Sequence, residues 1–107
     1  MTDLFVAVPP IKGYRLVGER FRPPAEIILA GLDGLVPVVL QREPRNTYDG
    51  NAIRVLLVDR EPPFHLGYIK REDAMDLAQT MDGAGQTEVG ATLYPAQRLI
   101  KVNAGQI

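Results

Sequence analysis

The chain has 107 residues, 46% hydrophobic and 23% charged, with a net charge of −1. That is enough for one domain with one modest core, and no global charge announces a nucleic-acid partner. It has no Cys, no Ser and a single His, His65, which excludes disulfides, zinc ribbons, a His cluster for a transition metal, and a Ser or Cys nucleophile.

Residues 1–13 read as an N-terminal arm, with a short strand at Leu4–Val8 ended by Pro9-Pro10. No basic segment precedes the mildly apolar start, so a signal peptide is not expected. No apolar run approaches the ~20 residues of a membrane span, and a cytoplasmic location is the default. Tyr14–Phe21 predicts a strand, closed by Pro23-Pro24. Ile27–Leu32 is a strand or a short helical turn; periodicity does not separate the two over this length. Leu35–Gln41, Ile53–Asp59 and His65–Ile69 predict further strands. Arg71–Asp82 is the one main helix: Ala74, Leu77, Ala78 and Met81 share a face, Glu72 and Asp73 sit in the first turn, and Gly83 is the expected stop. Glu88–Tyr94 and Leu99–Val102 close the domain at residue 102. Residues 103–107 predict a frayed tail.

Many short strands, one good helix and frequent Gly and Pro turns predict a mainly β, β-rich α+β fold. A small open β-barrel related to the OB-fold suits this count. Such barrels often bind single strands on a face that combines cations with aromatic platforms. Charge is unevenly spread. Lys12, Arg15, Arg20 and Arg22 outweigh Glu19, whereas Glu72, Asp73, Asp76, Asp82 and Glu88 have no Lys or Arg among them. This is a basic and an acidic side, or two unrelated solvated surfaces. No phosphate loop or dinucleotide fingerprint is present, so no nucleotide-driven motor is encoded.

The most informative stretch is Arg42–Val55, a polar segment between two apolar runs. Pro44 keeps Glu43 extended, Asn46, Asp49 and Asn51 can bond their own backbone, and Gly50 tolerates positive φ. The object is a strand, an ordered loop and a returning strand. The loop's Arg45, Asn46, Tyr48 and Asp49 are either a recognition surface or turn chemistry.

Arg42-Glu-Pro-x-Asn46-x-Tyr48-Asp49-x-Asn51-Ala52-Ile53-x-Val55 resembles the HIRAN domain family. Leu16-Val17-Gly18-x-Arg20-Phe21 before it fits in order and spacing. So does Leu66-Gly67-Tyr68-Ile69-x-Arg71 after it, with Ala74 and Leu77-Ala78. The resemblance spans roughly Tyr14 to Tyr94. It implies an OB-related barrel of a kind found at the N-terminus of Swi/Snf-type remodelling ATPases, where it binds the 3′ end of single-stranded DNA. Carried over by position, Arg20 and Phe21 match an arginine–aromatic pair. Asn46, Tyr48 and Asp49 match the end-binding loop, Tyr68 and Arg71 a ring and a cation ahead of the helix, and Tyr94 a late stacking aromatic. Phe21 stands where tyrosine is usual, and Thr47 where proline is customary.

The leading expectation is therefore a non-enzymatic module, with no cofactor and no metal, that binds the 3′-hydroxyl end of single-stranded DNA. A protein-interaction adaptor using the same face is the alternative. A metal-dependent nuclease using Asp49, Asp59, Glu61 or Asp73 is the third reading, and it needs carboxylates converging on an ion.

Overall fold

The computed structural model describes residues 13–19 and 22–107; the expected strand at Leu4–Val8 lies outside the described residues. The strands are β1 Tyr14–Val17, β2 Val36–Arg42, β3 Ile53–Leu57, β4 Phe64–Ile69, β5 Glu88–Tyr94 and β6 Leu99–Val102, with helices α1 Pro23–Ala30 and α2 Arg71–Gly83. A short 3₁₀ turn, Pro95–Gln97, joins β5 to β6. All strand pairs are antiparallel, in the order β1-β4-β3-β2-β5-β6.

The barrel anticipated from the strand count is present, and it is closed rather than open. Four-residue β1 closes it by serving two neighbours. Its first half pairs with β6 (Tyr14 opposite Ile100), and its second half with β4 (Leu16 opposite Ile69). Closure gives every described strand a partner on both sides, which limits the open edge that could template aggregation. Side chains alternate as the pleat requires. Val36, Val38 and Leu40, then Ile53, Val55 and Leu57, then Val89, Ala91 and Leu93 are all buried in the barrel.

β1 ends at Val17, earlier than the predicted Phe21, because Gly18 turns the chain with φ +88°. The ambiguous Ile27 run belongs to a helix. Pro23 and Pro24 occupy its first turn, where a missing N–H costs nothing, and Ala25 and Leu29 bury one face. In α2 the predicted face is buried: Ala74, Leu77, Ala78 and Met81 join the core. Its stop is Gly85 rather than Gly83. Gly85 takes φ +69°, its N–H reaches the Asp82 carbonyl (3.1 Å), and the Gln86 N–H reaches the Met81 carbonyl (2.9 Å). This is the Schellman arrangement, and it needs glycine at that one position.

Two arginines tie α2 to the barrel. The Arg15 backbone N–H donates to Asp73 (2.9 Å) at the start of the helix. Burial alone would raise the Asp73 carboxyl, but the bonds and charge of Arg15 outweigh it and hold the group below its ordinary value. Near the other end, Arg42 grips Asp82 with two donors (2.9 and 3.0 Å) and gives a third to the Ala52 carbonyl (3.0 Å). The helix is thus fastened both to β1 and to the loop that follows β2. Residues 103–107 turn back along β5: the Asn103 N–H bonds the Gly90 carbonyl (3.0 Å), and Gln106 Oε1 accepts from the Gly90 N–H (2.8 Å).

Candidate functional site

The polar segment between β2 and β3 is closed at its base by the Glu43 N–H bonding the Ala52 carbonyl (2.9 Å). Inside it, side chains take over backbone groups that no strand satisfies. Asn46 Oδ1 accepts from the N–H groups of both Tyr48 (2.9 Å) and Asp49 (3.1 Å), and Asp49 Oδ1 accepts from the Asn51 N–H (2.9 Å). Asn46 and Asp49 therefore do the work of turn formers. The Tyr48 ring has no such duty: it is 91% exposed, and its hydroxyl makes no hydrogen bond among the described residues. The ring is thus displayed on a loop fixed by its own side chains.

The ring stands at the rim of a groove of about 420 Å³. Five of the sequence-predicted residues meet there: Asn46, Tyr48 and Asp49 from the loop, Tyr68 from the end of β4, and Arg71 from the first turn of α2. Three apolar residues that the sequence did not single out, Val17, Ala52 and Ile69, complete the lining. Val17 was legible in one respect. It follows inward-facing Leu16 on a short strand, so its side chain had to face outward, and it is 37% exposed. Gly67 permits the close approach of β1 beside the groove: a Cβ there would lie 2.5 Å from the Val17 carbonyl oxygen.

Charge is sparse and placed at the rim. Arg71 Nε lies 3.9 Å from Asp49 Oδ2, with the arginine side chain 75% exposed. An ion pair that long, with its cation so exposed, is worth little, so the Arg71 guanidinium remains open to a ligand, while Asp49 is 22% exposed. Asp49 Oδ1 holds the loop, and Oδ2 is the oxygen on the side of Arg71. The Tyr68 hydroxyl donates to Glu43 Oε1 (2.9 Å). Burial and that bond raise its pKa, so the phenol keeps its proton and offers the groove its ring rather than an anion. His65 packs edge-on against Tyr68, with ring centroids 4.9 Å apart. Burial first, and then the charge of Arg22, push its pKa below the ordinary value of 6.5. A neutral imidazole adds no cation here at neutral pH.

Arg20 and Phe21 lie outside the described residues. Tyr94 is at the other end of the barrel, one residue past Leu93, which pairs with Val36 at the start of β2, and it lines a separate hollow with Leu32, Leu35 and Pro95. Among the described residues no three His, Asp or Glu side chains come together as a metal-holding group. No described helix is long and apolar enough to cross a membrane.

Comparison with known proteins agrees with this geometry. A crystal structure of a protein from Lactobacillus plantarum superposes with a TM-score of 0.65 at 31% identity, over 84% of this chain and 85% of that one. A search of curated proteins returns no match. The family model for the HIRAN domain matches residues 15–104, which takes in the barrel, the groove and α2. The chain is therefore a HIRAN domain, a member of a family of nucleic-acid-binding modules.

Proposed function

We propose that this domain is a non-enzymatic, cytoplasmic module that binds the 3′-hydroxyl end of single-stranded DNA in the groove between the β2–β3 loop and α2. The observation that carries the reading is the Tyr48 ring, 91% exposed at the rim of a groove that also holds Asp49 and Arg71. A ring offers a stacking surface to any base. A guanidinium with free donors suits one phosphate. An ionised carboxylate accepts hydrogen bonds and repels phosphate, so Asp49 fits the neutral hydroxyl that ends a strand and disfavours an internal linkage. The groove lies within the size range of small-ligand sites, about 300–1,000 Å³, which suits a strand end rather than a duplex.

A protein-adaptor role for the same face rests on its apolar floor of Val17, Ala52 and Ile69. The cation and carboxylate at the rim favour the nucleic-acid reading over it. Fluorescence-anisotropy titration separates the two, using labelled single-stranded and duplex oligonucleotides with 5′- or 3′-blocked ends at low salt. Binding to single strands with a free 3′ end, and much weaker binding to duplex and 3′-blocked strands, is the expected result. Flat titrations throughout would transfer the site to a protein partner.

A further inference from the structure

Behind the groove stands a carboxylate that touches none of its open surface. Glu43 begins the β2–β3 loop, and its backbone is already spoken for: its N–H bonds the Ala52 carbonyl (2.9 Å), and its own carbonyl accepts the Asn46 N–H (3.0 Å). The turn is thereby closed without the side chain. Yet the side chain is largely covered, 24% exposed, a costly place for a carboxylate unless donors compensate it. Two donors and one cation converge on it. Oε1 accepts from Asn46 Nδ2 (3.0 Å) and from the Tyr68 hydroxyl (2.9 Å), and Oε2 faces Arg54 Nε at 3.7 Å.

We propose that Glu43 is the positioning residue of the groove: one carboxylate fixes both the loop that presents Tyr48 and Asp49 and the Tyr68 ring on the opposite wall. The link to the loop is the Asn46 amide. An amide has one donating end and one accepting end. Glu43 is acceptor-only, so it holds the NH₂ end, and the oxygen must then face the N–H groups of Tyr48 and Asp49. Without the carboxylate the amide loses that constraint. The reverse orientation would set two donors against two donors and release the residues that form the rim. The link to β4 is direct, since the Tyr68 hydroxyl donates its one proton to Glu43 and keeps only acceptor capacity. Arg54, itself bonded to Gln41 on the neighbouring strand, anchors the far side of the carboxylate to the sheet. The inference takes its ligand from the proposed function but its geometry from the hydrogen bonds alone.

The test reads the loop without ligand and the affinity separately. Amide hydrogen exchange at Tyr48 and Asp49 is measured by NMR in wild type, Glu43→Ala and Glu43→Gln, with Leu40 and Val55 as core references. The alanine variant should lose at least tenfold in protection at Tyr48 and Asp49, with the references unchanged. Its affinity for a 3′-hydroxyl oligonucleotide should fall about tenfold. Glutamine, which still accepts through Oε1, should restore most of both. A swap provides a check that does not depend on the alanine variant folding. Asn46→Asp sets two carboxylates against each other and should loosen the loop, and adding Glu43→Gln to it should tighten the loop again, because the new amide donates to the new carboxylate. Unchanged protection in Glu43→Ala, an equal loss at the core references, or no recovery in the double variant would overturn the proposal. If wild type binds no oligonucleotide, the DNA reading fails by itself, and the exchange data still decide whether Glu43 positions the loop.

Discussion

The two ends of the barrel each carry a tyrosine beside a hollow, and they differ in what surrounds the ring. At one end Tyr94 is half-buried beside Leu32, Leu35 and Pro95, and Asp33 is the charged residue of the lining. At the other, Tyr48 is held out from the fold, with Arg71 and Asp49 at the same rim. A tyrosine at a strand end is common, and partial burial gives it a packing role. A site needs the ring released from packing and chemistry placed next to it. The groove end achieves this because Asn46 and Asp49 satisfy the loop's backbone, so the ring has no structural work to do.

The largest effect should come from the strand contact beneath the groove. Gly67→Ala places a Cβ against the Val17 carbonyl, which cannot rotate away, and overpacking of this kind costs roughly 1–3 kcal/mol or more. We expect a loss of about 3 kcal/mol in chemical denaturation. A neutral substitution would mean that β1 and β4 separate easily and that the groove floor is soft.

The tyrosine pair gives the sharpest contrast. Tyr48→Ala should weaken oligonucleotide binding by ~1–3 kcal/mol, the range for one base–aromatic stack, with stability within ~0.5 kcal/mol of wild type. Tyr48→Phe should keep most of the affinity. Tyr94→Ala should do the opposite, lowering stability by roughly 1–3 kcal/mol while leaving affinity alone. If Tyr48→Ala unfolds the protein, or Tyr94→Ala abolishes binding, the division between the two ends fails.

A smaller effect is expected at Arg71. It begins α2, where a cation opposes the helix dipole, and it is mostly exposed. Arg71→Ala should lower affinity severalfold at almost constant stability. The wild-type log–log salt dependence should be shallow, with a slope of about −0.7 to −1.5 for one or two phosphates at roughly −0.7 each, and the variant should flatten it by one of them. A wild-type slope near about −8 would imply a long cationic track instead of a short groove.

Much of the barrel was legible because its signals are local. Alternation in β2, β3 and β5 and the i, i+3, i+4, i+7 face of α2 report burial directly. The misread details depended on contacts distant in sequence. β1 was expected to run to Phe21, but Gly18 turns the chain at Val17. Gly83 looked like the helix stop, but the cap bonds form two residues further on, around Gly85. The closing of the barrel depends on β1 meeting β6 across most of the chain, which no window reveals. Within the site, the loop motif and its resemblance pointed to Asn46, Tyr48, Asp49, Tyr68 and Arg71, and these share one groove. Glu43 was passed over because its partners, Tyr68 and Arg54, become neighbours only when β3 and β4 pair beside the loop.

The most direct measurement compares one single-stranded oligonucleotide carrying a 3′-hydroxyl with the same strand carrying a 3′-phosphate, on wild-type protein at low salt. A charge-assisted hydrogen bond contributes about 1.5–3 kcal/mol, and Asp49 lines the groove with one oxygen, Oδ2, not spent on the loop. The account predicts that the hydroxyl end binds about tenfold more tightly or better, and that Asp49→Asn narrows the gap by removing the repulsion of phosphate. Equal affinity for the two ends would contradict it, and would leave Asp49 as a turn former only.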